Sequence, residues 1–240
     1  MPIFKRDDIE LYYEEHGAGF PVLLIAPGGM RSAASFWERT PWNPIEHLAP
    51  HYRVIAMDQR NAGHSVAPIR ATDSWHVYTA DQLALLDHLG IERCHVAGMC
   101  IGGPYIMGLI QAAPHRVTSA VLFQTIGLHN NRQAFFEMFD SWAQDLKPKR
   151  SEVSEAAWES FKKTMYGGDF LFNVSREFVA NCQTPLLVLL GNDLHHPAET
   201  SREVAALAPH ATLIEDWKEP AHQPAAKKAV EEFLAKHTPR

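Results

Sequence analysis

Between residues 3 and 16, apolar and charged side chains alternate around Asp7-Asp8, the period-two pattern of a half-exposed antiparallel hairpin. Short apolar runs then take over, at residues 22–26, 54–57, 95–98, 120–123 and 186–190. Runs of this length bounded by turn formers predict strands covered on both faces, as in a parallel sheet. Between them, residues 78–89, 104–113 and 199–207 carry apolar positions at helical spacing. Strands alternating with helices imply right-handed crossovers onto one sheet. The expected fold class is therefore α/β, a doubly wound and mostly parallel sheet. A last strand at Thr212-Leu213-Ile214 precedes a helix over 225–236, whose Ala229, Val230, Phe233 and Leu234 share one stripe.

The alternation lapses from 128 to 182. No buried-strand run occurs there, whereas Phe135, Phe136, Phe139, Trp142, Trp158, Phe161 and Tyr166 are concentrated in it. The expectation is a small helical cap inserted into a single domain spanning 1–240. Two amphipathic helices lying on the sheet would give the same periodicity.

Composition narrows the class. With 240 residues, 46% apolar and 21% charged, the chain has the make-up of one ordinary globular domain. Its net charge of -6 and a single short basic cluster, Lys147-Pro148-Lys149-Arg150, argue against a nucleic-acid partner. The first residues lack the apolar core of a signal peptide and no run has membrane-spanning length, so a cytoplasmic location away from membranes is expected. Cys94, Cys100 and Cys182 form an odd set without Cys-x-x-Cys spacing, which favours free thiols over disulfides or a zinc site.

One cysteine stands in a telling position. Gly98-Met99-Cys100-Ile101-Gly102 follows a predicted strand and precedes a predicted helix. In that setting a Gly-x-nucleophile-x-Gly segment makes a tight turn that holds the nucleophile above the sheet. The start of the following helix offers free N–H groups and a positive dipole end, which favour a thiolate and a developing oxyanion. Cys94 and Cys182 read as packing thiols. A thiol nucleophile also calls for a base.

Five segments in order complete a resemblance: Ile25-Ala26-Pro27-Gly28-Gly29-Met30, the run from Asp58 to Ser65, the elbow around Cys100, Gly191-Asn192-Asp193-Leu194-His195-His196-Pro197, and His222. Over nearly its whole length the chain resembles the α/β-hydrolase superfamily, and its cysteine resembles the dienelactone-hydrolase variant rather than the usual serine. The resemblance implies the order nucleophile, acid, histidine. It assigns Asp193 as the acid and His222 as the base of a Cys-His-Asp triad with Cys100. Asp216 is a second carboxylate near the last strand, and after the strand ending at Phe123 there is Gln124 where some members carry the acid. The oxyanion hole implied is the N–H of Ile101 with that of Gly28, Gly29 being the alternative.

The adjacent His195-His196 pair and His129 do not by themselves supply convergent metal ligands, so no metal is expected. No Gly-x-Gly-x-x-Gly follows the first buried strand and no Gly-Lys-Ser/Thr loop occurs, so no cofactor is expected either. The function implied is hydrolysis of a small, fairly apolar ester, lactone or thioester through an acyl-enzyme on Cys100. Carbon–carbon bond hydrolysis or acyl transfer would use the same groups, and a ligand-binding or scaffold protein on this fold is the alternative from another class. The partner expected is thus a small-molecule substrate. A homodimer through the cap is entertained without sequence grounds for choosing its residues.

Overall fold

The computed structural model describes residues 2–239; Met1 and Arg240, the ends of the expected 1–240 domain, lie outside the described residues. The apolar runs form strands of one eight-stranded sheet. In chain order these are β1 (Ile3–Arg6), β2 (Ile9–His16), β3 (Pro21–Ile25), β4 (Arg53–Met57), β5 (Cys94–Met99), β6 (Val117–Phe123), β7 (Leu186–Leu189) and β8 (Ala211–Ile214). Their spatial order is β1-β2-β4-β3-β5-β6-β7-β8. β1 and β2 are antiparallel and turn through Asp7, whose φ of 52° suits a short polar residue. β2 runs antiparallel to β4, and from β4 onward every pairing is parallel.

The strands that read as continuous apolar runs are the interior ones. Every residue of β5 and β7 is buried, whereas exposure alternates along the edge strand β1. Each fully buried aliphatic side chain contributes about 1.5–3 kcal/mol.

Eight helices flank or cap the sheet: α1 (Pro44–Leu48), α2 (Trp75–His88), α3 (Gly102–Ala112), α4 (Arg132–Leu146), α5 (Glu155–Tyr166), α6 (Arg176–Ala180), α7 (Ala198–Leu207) and α8 (Gln223–His237). The sequence pattern did not show α1 or the tight turns at Gly29–Arg31 and Ala34–Arg39, which are too short for a helical period to emerge. No helix among the described residues is long and apolar enough to cross a membrane.

Because the interior strands are parallel, the loops leaving β3, β4, β5, β6, β7 and β8 all emerge at one end of the sheet. Phe123 at the end of β6 is the hub beneath them, with ring centroids 5.4 Å from Trp42, 6.4 Å from Trp37 and 5.7 Å from Trp217.

Between β6 and β7, residues 128–182 hold α4, α5 and α6 and no strand among the described residues. Phe139 and Trp142 of α4 meet Phe161 and Trp158 of α5 with centroids 5.2 and 5.8 Å apart. Of the seven aromatics noted in this stretch, all are buried but Phe136, which is half-buried. The segment is fastened over the sheet end by Trp142 Nε1 donating to Asn61 O at 3.2 Å and Trp75 Nε1 donating to Met165 O at 2.6 Å.

Candidate active site

Cys100 sits between β5 and α3 with a φ of 63°, a left-handed conformation that a non-glycine residue adopts only where its surroundings enforce it. Its N–H donates to Phe123 O, and its carbonyl accepts from both Gly103 and Ile126 N–H, all three at 3.1 Å. The flanking glycines are demanded by space. A Cβ on Gly102 would stand 2.9 Å from Ile25 O, and one on Gly103 would stand 1.8 Å from Thr125 Oγ1. The chain can make this turn only with β3, β6 and α3 pressed against it.

The loop after β3 approaches the sulfur from the other side. Gly28 has a φ of 116°, and the position its side chain would occupy is filled by the Phe36 ring at 3.1 Å. Ser32 Oγ donates to Ala26 O at 2.6 Å, and Asp58 accepts from Ala34 N–H at 2.7 Å and His64 N–H at 2.8 Å. Asp58 thereby ties the loop after β4 to the loop after β3. The backbone N–H groups of Gly28 and Ile101 lie close enough to the Cys100 sulfur to favour its thiolate.

The imidazole that reaches this sulfur belongs to His196, on the loop after β7. Asp193, three residues earlier, contacts its Nδ1 at 2.7 and 2.8 Å and also accepts the backbone N–H of His195 and of His196 at 3.0 Å. His196 Nε2 is buried without a hydrogen-bond partner among the described residues, and the ring lies close enough to Cys100 for the two to shift each other's ionisation. Gly191 makes room for the fold of this loop, since a Cβ there would lie 2.3 Å from His196 O.

The charges reinforce one another. Burial opposes ionisation of His196, but the Cys100 and Asp193 charges outweigh it and raise its pKa to about 9. Burial likewise pushes the Cys100 thiol up, while His196 and the N–H groups of Gly28 and Ile101 pull it down further, to a net value below the ordinary range. Asp193 is held low, the bonds from His196 and His195 exceeding the effect of burial. At the other two thiols burial outweighs the opposing contacts: Cys94 is pushed up to about 12 against the charge of Arg116, and Cys182 is raised despite its bonds to Thr184.

Of the residues singled out from the sequence, the structure brings Cys100, Ile101, Gly28 and, through His196, Asp193 to one place. His222 is not among them. It is exposed at the start of α8, its N–H donating to Glu219 O at 2.8 Å. The loop after β8 is pinned earlier, by Trp217 Nε1 donating to Leu190 O at 2.8 Å, and the chain then turns outward, so that Asp216 and His222 both face solvent. The structure thus brings the expected Asp193 beside the elbow and leaves the expected His222 at the surface, with His196 nearest the sulfur instead. The missed signal was local: Asp193-x-x-His196 has the spacing at which a carboxylate turns back on the imidazole three residues on. Among the described residues no group of three or more His, Cys, Asp or Glu is placed to hold a metal ion.

A sheet in this order, with a tight strand-to-helix turn after β5, has the architecture of an α/β hydrolase. The chain belongs to that family: the profile described as alpha/beta hydrolase fold matches residues 21–184. It is similar to the "Putative carbamate hydrolase RutD" of Azorhizobium caulinodans, 41% identical over 125 residues, which are 51% of this chain and 43% of that protein. It is also similar to the "Putative non-heme bromoperoxidase BpoC" of Mycobacterium tuberculosis, 34% identical over 171 residues, 67% of this chain and 60% of that protein. The matches therefore span less than two thirds of these relatives' length. Among solved structures the fold is shared with the enol-lactonase from Burkholderia xenovorans LB400, with a TM-score of 0.73 and 22% identity over 98% of this chain and 100% of that one.

Proposed function

We propose that this protein is an acyl-transfer hydrolase with Cys100 as nucleophile, His196 as base and Asp193 as the group that orients His196. The observation that carries the reading is the placement of one imidazole between two groups, with Nδ1 on Asp193 and the ring beside the Cys100 thiol at the elbow. A carboxylate on Nδ1 fixes the proton there and leaves Nε2 free to exchange one with sulfur.

In the reaction the thiol proton passes to His196 Nε2 and the thiolate attacks a carbonyl carbon. The oxygen that gains charge accepts the N–H groups of Gly28 and Ile101. Collapse of this intermediate forms a thioester on Cys100, and His196 returns the proton to the departing alcohol, thiol or amine. His196 then takes a proton from water, whose attack releases the acid and restores the thiol. The depressed Cys100 pKa and raised His196 pKa favour the thiolate–imidazolium pair, which lowers the cost of the first proton transfer.

The substrate class is a small, fairly apolar ester, lactone or thioester, seated between the sheet end and a cap formed by residues 128–182. The names of the relatives fit: a carbamate hydrolase and an enol-lactonase both act on a carbonyl bearing a heteroatom leaving group.

Intact-mass spectrometry after mixing with an activated acetate ester tests the reading. A transient acetyl adduct is expected on the wild type, none on Cys100→Ala, and a strongly slowed one on His196→Ala. His222→Ala should acylate like the wild type. An adduct that survives in Cys100→Ala, or one slowed by His222→Ala and not by His196→Ala, would sink the assignment.

A further inference from the structure

The loop that carries Asp193 and His196 is almost self-contained. Asp193 N–H donates to His196 O and His196 N–H to Asp193 O, both at 3.2 Å. The Asp193 carboxylate is taken up by the His195 and His196 N–H groups and by the His196 ring. Among the described residues, one hydrogen bond ties the backbone of 193–196 to another segment: Asn131 Nδ2 donates to Leu194 O at 2.7 Å.

Asn131 stands at the N-terminus of α4, where an asparagine ordinarily turns its side chain onto the helix's own free N–H groups. Here it makes no such bond. It is 4% exposed, and its amide is spent away from the helix: Nδ2 also donates to Gly127 O at 3.1 Å, and Oδ1 accepts His129 N–H at 2.9 Å. Aspartate, serine and alanine lack the pair of donors that this arrangement demands. The anchor is itself fixed. A Cβ on Gly127 would lie 2.4 Å from Thr200 Cγ2 on α7, and Leu128 N–H donates to Phe170 O at 2.7 Å. Four residues beyond Asn131, and so on the same face of α4, the buried Phe135 ring meets His195 at 5.5 Å.

We infer that Asn131 is the positioning residue of the Asp193–His196 loop, its amide carrying the seating of the cap to the imidazole beside Cys100. The inference rests on the acyl-transfer reading above, in which that imidazole is the base. A buried side chain that gives up such a bond has no water to replace it, so its loss frees the loop rather than merely exchanging partners. Asp193 travels with His196, because the two are bonded within the loop. What a loosened loop gives up is therefore the approach of the ring to sulfur, with the pairing of carboxylate and imidazole retained. Small displacements of this kind weigh heavily on a proton transfer, which needs its two partners at a fixed separation.

The pH midpoint of iodoacetamide labelling at Cys100 tests this, since a midpoint, unlike a rate, does not change with access to the thiol. Asn131→Ala is expected to raise the midpoint, by no more than His196→Ala does, because the ring's pull on the thiol is weakened. In a protein that already carries His196→Ala it should produce no further shift, because the amide acts through the ring. Asn131→Ser, a good helix N-cap without the amide's paired donors, should shift the midpoint in the same direction and serves where the alanine variant does not fold. Trp142→Phe removes the cap's bond to Asn61 O and leaves the loop untouched, so it should lower the melting temperature with the midpoint unmoved. An unmoved midpoint in both Asn131 variants, a shift that persists beside His196→Ala, or an equal shift in Trp142→Phe overturns the positioning role. If an activated acetate fails to acylate the intact protein while the midpoints behave as expected, the acyl-transfer reading falls and the Asn131 tether stands.

Discussion

Asp193 holds His196 from three residues away, contacting Nδ1 at 2.7 and 2.8 Å and the His196 backbone N–H at 3.0 Å. Asp193 and His196 share one loop after β7, whereas the family order places the histidine on the loop after β8. A short tether of this kind fixes the imidazole by local turn geometry, so its position does not depend on docking two distant loops together.

Removing the carboxylate therefore tests the pair directly. Asp193→Asn takes away a negative charge that favours imidazolium, so the His196 pKa should fall from about 9. Acylation should slow about 100-fold or more, as the ring loses both orientation and charge stabilisation. Imidazole nitrogen NMR over a pH titration reads the first effect; a pKa that stays at about 9 would show that Asp193 does not act on the ring.

Thiol alkylation reports the other partner. The Cys100 pKa is depressed, so its thiolate fraction persists as pH falls below the range where an ordinary thiol near 8.5 becomes protonated. Iodoacetamide should thus label one site near neutrality, Cys94 at about 12 and the raised Cys182 staying protonated. In His196→Ala the midpoint should move up, since the largest influence that lowers the thiol pKa is gone. An unchanged midpoint would mean that another group depresses the thiol.

The elbow makes a prediction about stability. Alanine normally favours a helix over glycine by about 1 kcal/mol, yet Gly103→Ala should lower stability by about 1–3 kcal/mol because its Cβ would press on Thr125 Oγ1. Urea unfolding decides the sign, and a stabilised variant would contradict the close packing of α3 on the loop after β6.

A buried ion pair supplies the last test. Arg60 and Asp81 are 3% and 1% exposed, and Asp81 also accepts from Arg6 at 2.9 Å. Asp81→Asn would take from buried Arg60 the carboxylate at 2.7 Å and leave it only Asp73 at 4.0 Å, at a cost of about 3 kcal/mol. Glu215→Gln, which breaks the exposed pair with Arg202, should leave the melting temperature where it is. Equal effects of the two substitutions in thermal melts would contradict the burial of the first pair.

Much of this protein is legible in its sequence because the signals are local. Buried runs such as 22–26 and 186–190 declare covered strands, and glycines on both sides of Cys100 declare a turn too tight for side chains. The alternation at 3–16 declares a hairpin at a sheet edge. Each of these depends on residues adjacent in the chain, where periodicity and steric demand are written directly.

The choice between His196 and His222 was of another kind. Both follow strands at the same end of the sheet, and which imidazole meets the thiol depends on how two loops leave that end. Trp217 anchored under Leu190 O sends the loop after β8 outward, while Asp193 folds the loop after β7 over the elbow. The tether from Asn131 to Leu194 O is equally invisible to periodicity, because the two residues lie on separate segments that only the packed sheet and the helices over it bring together. Local sequence determined the elements and the tight turn at Cys100; long-range packing alone decided which side chains share the space above it.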